Sequence, residues 1–352
     1  MKKNLIFTEQ SQFNALKVFR HMDRVCDLMK GKKMFPISVD LSVSNFCNQK
    51  CVWCYYRGYL ESARTMLDKG LLLSLLRELS ALGVKGINFT GGGEPLTHPA
   101  LIEVMEYAHA KGIDVGLITN GVLLNKEKIR RLTRIAKFIR ISLSSSGAKN
   151  YRKFHNAHKD DFKKLIENLK LLGEYSKGSK CLTGVLFLLE PKTQSELLDT
   201  IELVKKSGLK FFEVRLIKNT PCFTPGSLTR ENDILYEKAK GYADNNFDII
   251  MRDELVRATP RYGKEYKLCY AHEFVTSISA EGDVYVCCEF EGKKKYAFGN
   301  IKKKKFEDIW FSDERKKVVK NLDLSKCFAC CKGDGINQLF HTLNNLEHLN
   351  FM

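Results

Sequence analysis

From residue 37 to about residue 245 the chain alternates β-like runs with helical ones, and this alternation constrains the fold of its 352 residues more than any other feature. The β-like runs are "ISVDLSV", "GINFT", "DVGLIT", "FIRISLS", "LTGVLFLLE" and "FFEVRLI". Helical spacing follows each in turn: 66–82, "ALIEVMEYAHAKG", "NKEKIRRLTRIA", 158–177, 193–207 and 229–245. Alternation of this kind predicts a parallel sheet with right-handed crossovers. Six units suit an open barrel, so the expected fold is α/β, a (β/α)6 partial TIM barrel over 37–255 with a small C-terminal auxiliary domain over 256–352. Residues 1–36 read as an N-terminal helical extension. There Phe13, Leu16, Val18, Phe19 and Met22 recur at helical spacing, which predicts a helix over 10–30 packed on the main domain, with Cys26 on its apolar face.

The loop after the first strand reads "CNQKCVWC" and sets three thiols, Cys47, Cys51 and Cys54, close together. In parallel α/β sheets the site lies at the carboxyl ends of the strands. Three thiolates can hold three irons of a cubane cluster and leave the fourth open to an outside ligand. A structural zinc would instead need a fourth protein ligand. After the second strand comes "GGGEP", Gly91 to Pro95. Glycines there let backbone carbonyls approach a ligand, and a carboxylate can help hold an ammonium.

Taken in order, these motifs resemble the radical S-adenosylmethionine (SAM) superfamily, whose signature is a CxxxCxΦC loop with an aromatic at Φ, here Trp53. The resemblance implies that Cys47, Cys51 and Cys54 bind a 4Fe-4S cluster that chelates SAM. It implies that the edge formed by Gly91, Gly92, Gly93 and Glu94 receives the methionyl amino group. Ser142 or Ser144 in strand four would contact the ribose, with Asn120 at the end of strand three as a further contact. Relatives often read SLDA where this chain reads "SLSS", so the acidic contact is missing.

The tail carries Cys269, Cys287, Cys288, Cys327, Cys330 and Cys331. "SISAEGDVYVCC" reads as a hairpin turning at Glu281-Gly282-Asp283. With "GNIKKKKFEDIWFSDERKKV" between the cysteine groups, the tail resembles the auxiliary-cluster extension called Twitch, the shorter relative of the SPASM domain. That implies one auxiliary 4Fe-4S cluster on Cys269, Cys287, Cys327 and Cys330. Cys288 or Cys331 could take a neighbour's place, and a structural zinc on four cysteines is the competing reading.

The stretch that runs from strand six into its loop, "VRLIKNTPCFTPG", brings two residues near the reactive rim. Arg215 offers a planar fork for a substrate hydroxyl or carboxylate, against the plainer reading of a strand salt bridge. Cys222, which neither cluster pattern uses, could return a hydrogen atom to a substrate radical, as in similar enzymes that invert a stereocentre; the plainer reading is a small apolar residue in a Pro-bounded turn. Cys181 begins strand five and is expected to be inert. His155 and His272 have no motif around them and read as surface or core residues.

The expected function is a radical SAM oxidoreductase or epimerase. It would cleave SAM reductively and abstract a hydrogen atom from a small polar substrate such as a sugar, aminocyclitol or nucleoside, leading to epimerisation or dehydrogenation. The alternatives are a peptide or protein maturase and a non-catalytic metal scaffold that binds nucleic acid. Expected partners are the small-molecule substrate and an electron donor such as flavodoxin or ferredoxin. The net charge of +17 suits an anionic substrate. Basic runs such as "KKKYAFGNIKKKK" lack a recognisable nucleic-acid module, so nucleic acid is not expected. The chain shows no signal peptide and no window near the roughly 18 apolar residues of a membrane span. Twelve cysteines without those features point to a reducing cytoplasm and to metal ligation or catalysis.

Overall fold

The computed structural model describes residues 14–62, 64–216, 230–251, 264, 266–327 and 331–347. The six anticipated strands form in order: β1 (Ser38–Ser42), β2 (Gly86–Thr90), β3 (Asp114–Thr119), β4 (Ala136–Ser142), β5 (Leu182–Leu189) and β6 (Phe211–Leu216). Each pairs parallel with the next, as a partial barrel requires. A seventh strand, β7 (Asp248–Met251), extends the sheet beyond β6. The sequence reading missed it and ran the preceding helix to 245, whereas that helix ends at Lys240. Four residues give too short an alternation to stand out.

The connecting helices are α3 (Lys69–Ala81), α4 (Leu101–Ala110), α5 (Lys126–Ile135), α7 (Asp161–Ser176), α8 (Leu197–Lys206) and α9 (Arg230–Lys240). Two more elements, α2 (Arg57–Ser62) and α6 (Ala148–His155), were not anticipated. Helix α3 starts where Asp68 accepts from the Leu71 N–H at 3.1 Å, and α5 where Asn125 accepts from Lys128 N–H at 2.9 Å. Leu72, Leu75, Leu76 and Leu79 of α3 bury one stripe against Val39, Leu41, Ile87 and Phe89 on the outer face of the sheet. Each such side chain stabilises by about 1.5–3 kcal/mol. By the period of two, the opposite face carries Asp40, Asn88, Arg140 and Glu213, all buried. The inside of the barrel is therefore polar.

The tail hairpin forms where predicted, as β8 (Val275–Ile278) and β9 (Asp283–Tyr285), with Gly282 at φ 92° in the turn. It does not stand apart. β8 lies parallel against β1, with Asp40 opposite Ser277. β9 and then β10 (Ala297–Asn300) continue antiparallel. One ten-stranded sheet results, in the order β10-β9-β8-β1-β2-β3-β4-β5-β6-β7. Among the described residues the remaining α-helices are α10 (Ala271–Phe274), α11 (Phe306–Trp310), α12 (Asp313–Lys320) and α13 (Asp334–Asn344).

The N-terminal segment corrects the sequence reading in two ways. A 3-10 turn over Ala15–His21 leads into α1 (Met22–Met29). Its buried residues are Val18 and Val25, which pack with Met34 on Phe274 and Phe340 of the tail, while Arg24 donates to the Leu82 carbonyl just after α3 at 3.4 Å. Leu16, Phe19, Met22 and Cys26 are exposed. A register built on Val18 and Val25 turns Cys26 outward, since adjacent helical residues point about 100° apart.

Candidate active site

The cysteine loop leaves β1 and is fastened on three sides. Asn120, at the end of β3, donates its side-chain amide to Asn48 Oδ1 at 2.8 Å. Gln49 donates to the Tyr151 hydroxyl at 2.7 Å. The N–H groups of Lys50 and Val52 donate to the carbonyls of His155 and Phe154 at 3.1 and 2.9 Å. Helix α6 thus ends against the loop, and its last orphan carbonyls are satisfied there.

The glycine edge is stitched to the same loop. Gly93 N–H donates to Ser44 O at 3.1 Å and Glu94 N–H to Phe46 O at 2.8 Å. A Cβ at position 93 would stand 2.3 Å from the Phe46 carbonyl, so only glycine allows this approach. Glu94 itself turns inward. It is 3 % exposed and accepts from Asn120 N–H at 2.8 Å, Leu96 N–H at 3.0 Å and the Thr119 hydroxyl at 2.5 Å. Burial pushes its carboxyl up, while those donors pull it down. Its carboxylate ties β2 to β3, and the backbone of Gly91–Gly93 is what lies along the loop. Ser144 is committed likewise, accepting from Leu188 N–H at 3.0 Å. Ser142 ends β4 half-buried.

Trp53 packs on Phe154, with ring centroids 5.2 Å apart. Burial drives the Cys51 and Cys54 thiols upward, and for Cys51 the neighbouring sulfurs of Cys54 and Cys47 add to the shift. Three thiols that resist ionisation together fit a cationic group that takes the place of their protons. His155, read from sequence as an unremarked surface or core residue, lies 3.4 Å from the Cys51 sulfur through Nδ1. Nothing in "KFHNAH" announces that contact, which spans 104 positions.

Of the two rim residues, Arg215 is bound within its own sheet. It pairs with Glu213 at 2.6 Å, and Glu213 also takes Arg140 at 2.9 Å. Its Nε donates to Glu213 Oε1 at 2.6 Å, while Nη2 is buried without a hydrogen-bond partner among the described residues. Cys222 lies outside the described residues. Cys181 is buried, its thiol pushed up to about 12, in keeping with an inert role. His272 is buried beside Arg315, whose guanidinium stacks 3.9 Å from the Trp310 ring centroid.

The tail cysteines gather at the other end of the barrel. Cys269, Cys287, Cys288, Cys327 and Cys331 line a cavity of about 440 Å³ whose wall includes Ser38, Gly86 and Asp114, the first residues of β1, β2 and β3. Burial pushes the Cys287, Cys327 and Cys331 thiols up, with the charge of Cys331 adding to the first two and that of Cys269 to Cys331. Cys288 instead faces Asp40 and Lys332. Cys330 lies outside the described residues. Among the described residues, no three His, Cys, Asp or Glu side chains are placed to hold a single metal ion. The thiols surround a space, which fits a cubane whose ligands sit on separate irons.

The two cysteine regions are also tied directly. Tyr55 and Tyr56, just after Cys54, donate their hydroxyls to the carbonyls of Glu289 and Cys288 at 2.6 and 3.1 Å. Across the barrel floor Lys332 pairs with Asp40 at 2.6 Å.

Residues 41–210 match the radical SAM superfamily model, and residues 269–332 match the SPASM model, an iron–sulfur cluster-binding domain. The chain belongs to the radical SAM superfamily. Its domains imply the SAM-binding 4Fe-4S cluster, an auxiliary cluster and SAM itself. Among curated relatives, a tungsten-containing aldehyde ferredoxin oxidoreductase cofactor-modifying protein of Pyrococcus furiosus is 23% identical over 320 residues, 84% of this chain and 87% of its own. The antilisterial bacteriocin subtilosin biosynthesis protein AlbA of Bacillus subtilis is 25% identical over 79% of this chain and 60% of its own. The crystal structure of Streptococcus suis SuiB bound to precursor peptide SuiA superposes with a TM-score of 0.66 at 18% identity, covering 92% of this chain and 78% of that one. The likeness to the SuiB structure is one of fold. Among the described residues no helix is long and apolar enough to cross a membrane.

Proposed function

We propose that this radical SAM enzyme is a maturase that oxidises a peptide or protein side chain. One observation carries the reading: the tail's cysteines line a cavity on the floor of the same barrel whose rim holds Cys47, Cys51 and Cys54. The likeness to a bacteriocin biosynthesis protein over most of the chain supports it. When bound, the reduced cluster and SAM supply a 5′-deoxyadenosyl radical that takes one hydrogen atom from the substrate. The chain's residues do the rest. Cys47, Cys51 and Cys54 bind the cluster, with Asn120 and Gln49 fixing their loop. The backbone of Gly91–Gly93 lines the SAM side, and the sheet shields the interior from water. A side chain that has lost one hydrogen atom reaches a closed-shell product by losing a second electron and a proton. An auxiliary cluster held by the tail's cysteines would accept that electron, and reduced flavodoxin or ferredoxin would supply the first.

The test is anaerobic turnover of the reconstituted protein with reductant, SAM and peptides encoded beside its gene. A peptide short of two hydrogens, formed with equimolar 5′-deoxyadenosine, is the expected result. 5′-Deoxyadenosine formed only with a small sugar, cyclitol or nucleoside would return the reading to a small polar substrate.

A further inference from the structure

The contact between His155 and Cys51 has no part in the reading above beyond resting on Cys51 as a cluster ligand. His155 is 2 % exposed and closes α6, after which Asn156 turns the chain with φ 44°. Its ring stacks on Tyr151 with centroids 4.4 Å apart and meets the edge of Trp53 at 6.0 Å. The backbone bonds from Lys50 and Val52 to the carbonyls of His155 and Phe154 lock this ring against the loop from both sides. Its Nδ1 therefore has a fixed neighbour, the Cys51 sulfur at 3.4 Å.

The tautomer follows from satisfaction of buried groups. Nε2 is buried with no hydrogen-bond partner among the described residues. A neutral imidazole carries one N–H. On Nε2, that proton would be a buried donor with no acceptor, and the Nδ1 lone pair would face the lone pairs of a thiolate. On Nδ1, the proton points at an acceptor, and Nε2 keeps only an idle lone pair.

We propose that His155 donates Nδ1–H to the Cys51 sulfur and thereby raises the potential at which the cluster on Cys47, Cys51 and Cys54 takes up its electron. Reduction adds negative charge that spreads onto the ligand sulfurs, and a fixed N–H dipole aimed at one of them favours the reduced state. The helix does not supply this field. α6 points its carboxyl end, the negative end of its dipole, at the loop. His155 is a positioning residue acting through Cys51.

Two variants separate the donor from the ring. His155→Phe keeps a stacking ring and loses the donor. His155→Asn loses the ring and keeps an amide N–H near the Nδ1 position. The readout is the midpoint potential of the reconstituted cluster without SAM, followed by its paramagnetic resonance signal, with iron content measured alongside. For His155→Phe we expect full iron and an about tenfold smaller ratio of reduced to oxidised cluster at a fixed potential, equivalent to a downward shift of about 59 mV. His155→Asn should stay near wild type. An unchanged midpoint in His155→Phe, or equal shifts in both variants, overturns the proposal. Should the Phe variant fail to hold iron, wild-type protein labelled with nitrogen-15 in its histidines decides: a weak nitrogen coupling to the reduced cluster supports the bond, and no coupling refutes it. SAM cleavage by wild type is recorded separately, so loss of the enzymatic reading would not be mistaken for loss of this one.

Discussion

Replacing Glu94 by Gln asks whether the carboxylate after the three glycines serves the fold or the ligand. In the structure Oε2 accepts from Asn120 N–H, while Oε1 accepts from Leu96 N–H and the Thr119 hydroxyl. Glutamine has the same shape but only one acceptor oxygen. If its oxygen takes the Oε1 place, its NH2 meets the Asn120 N–H, donor against donor, and one buried backbone donor is left unmade. If it takes the Oε2 place, Leu96 N–H is left instead, while the Thr119 hydroxyl can rotate. Either way one buried donor is orphaned, at about 1–3 kcal/mol, and bonds to a charged acceptor become bonds to a neutral one. We expect Glu94→Gln to lose about 2–3 kcal/mol in urea unfolding of the cluster-free protein. Asn120 also holds Asn48, so the variant should take up iron at Cys47, Cys51 and Cys54 more slowly. Once loaded, it should bind SAM with near wild-type affinity. Unchanged unfolding together with a tenfold weaker SAM affinity would refute this reasoning and give the carboxylate to the methionyl ammonium.

Three further outcomes are expected. Cys331→Ala should cost the tail most of its iron and Cys288→Ala little, because the charge of Cys331 raises Cys287 and Cys327 and that of Cys269 raises Cys331, whereas Cys288 is raised by burial and by Asp40; the reverse pattern in iron analysis would shift the ligand register by one. Arg140→Leu strips a partner from Glu213 where both are almost fully buried, and should cost about 3 kcal/mol, the low end for a broken buried pair because Arg215 still holds Glu213; a loss under about 1 kcal/mol would mean that Arg215 alone satisfies it. Glu291 is buried, and its carboxyl is pushed from 4.5 up to about 7. The folded state then holds the proton more tightly than the unfolded one, so this group's contribution is fully present below about pH 4.5 and lost as pH rises through about 7. Urea midpoints at about pH 5 and about pH 8 should differ less in Glu291→Gln than in wild type, and an unchanged difference would count against the shift.

The parallel barrel was legible because its strands repeat a local pattern: an apolar run, a turn and a helical stripe. The cysteine loop and the Gly91–Gly93 edge stand out in sequence because each motif is local, and the structure stitches the two together. What the sequence hid depends on partners far along the chain. β7 is four residues whose identity as a strand comes from pairing with β6. Val18 and Val25 face the tail because Phe274 and Phe340 lie there, and a helical stripe alone does not say which of its edges will be covered. The structural bonds of the Glu94 carboxylate were hidden because two of its donors, Thr119 and Asn120, lie far beyond the motif that contains it. His155 acquires its role only through a fold that returns it to Cys51.

The parallel pairing of β8 with β1 makes the sheet a gauge block between two redox stations. One set of thiols hangs beyond the carboxyl end of β1, and the other lines the cavity at its amino end. The strand between them is five residues long, about 16 Å. An appended domain on a hinge would let that gap breathe with temperature and load, and electron tunnelling falls steeply with distance. Here the gap is cut into a hydrogen-bonded ladder, so its tolerance is that of a sheet rather than of an interface. Lengthening the connection between β7 and α10 should leave electron exchange between the stations untouched, whereas slipping β8 by two residues along β1 would retime it.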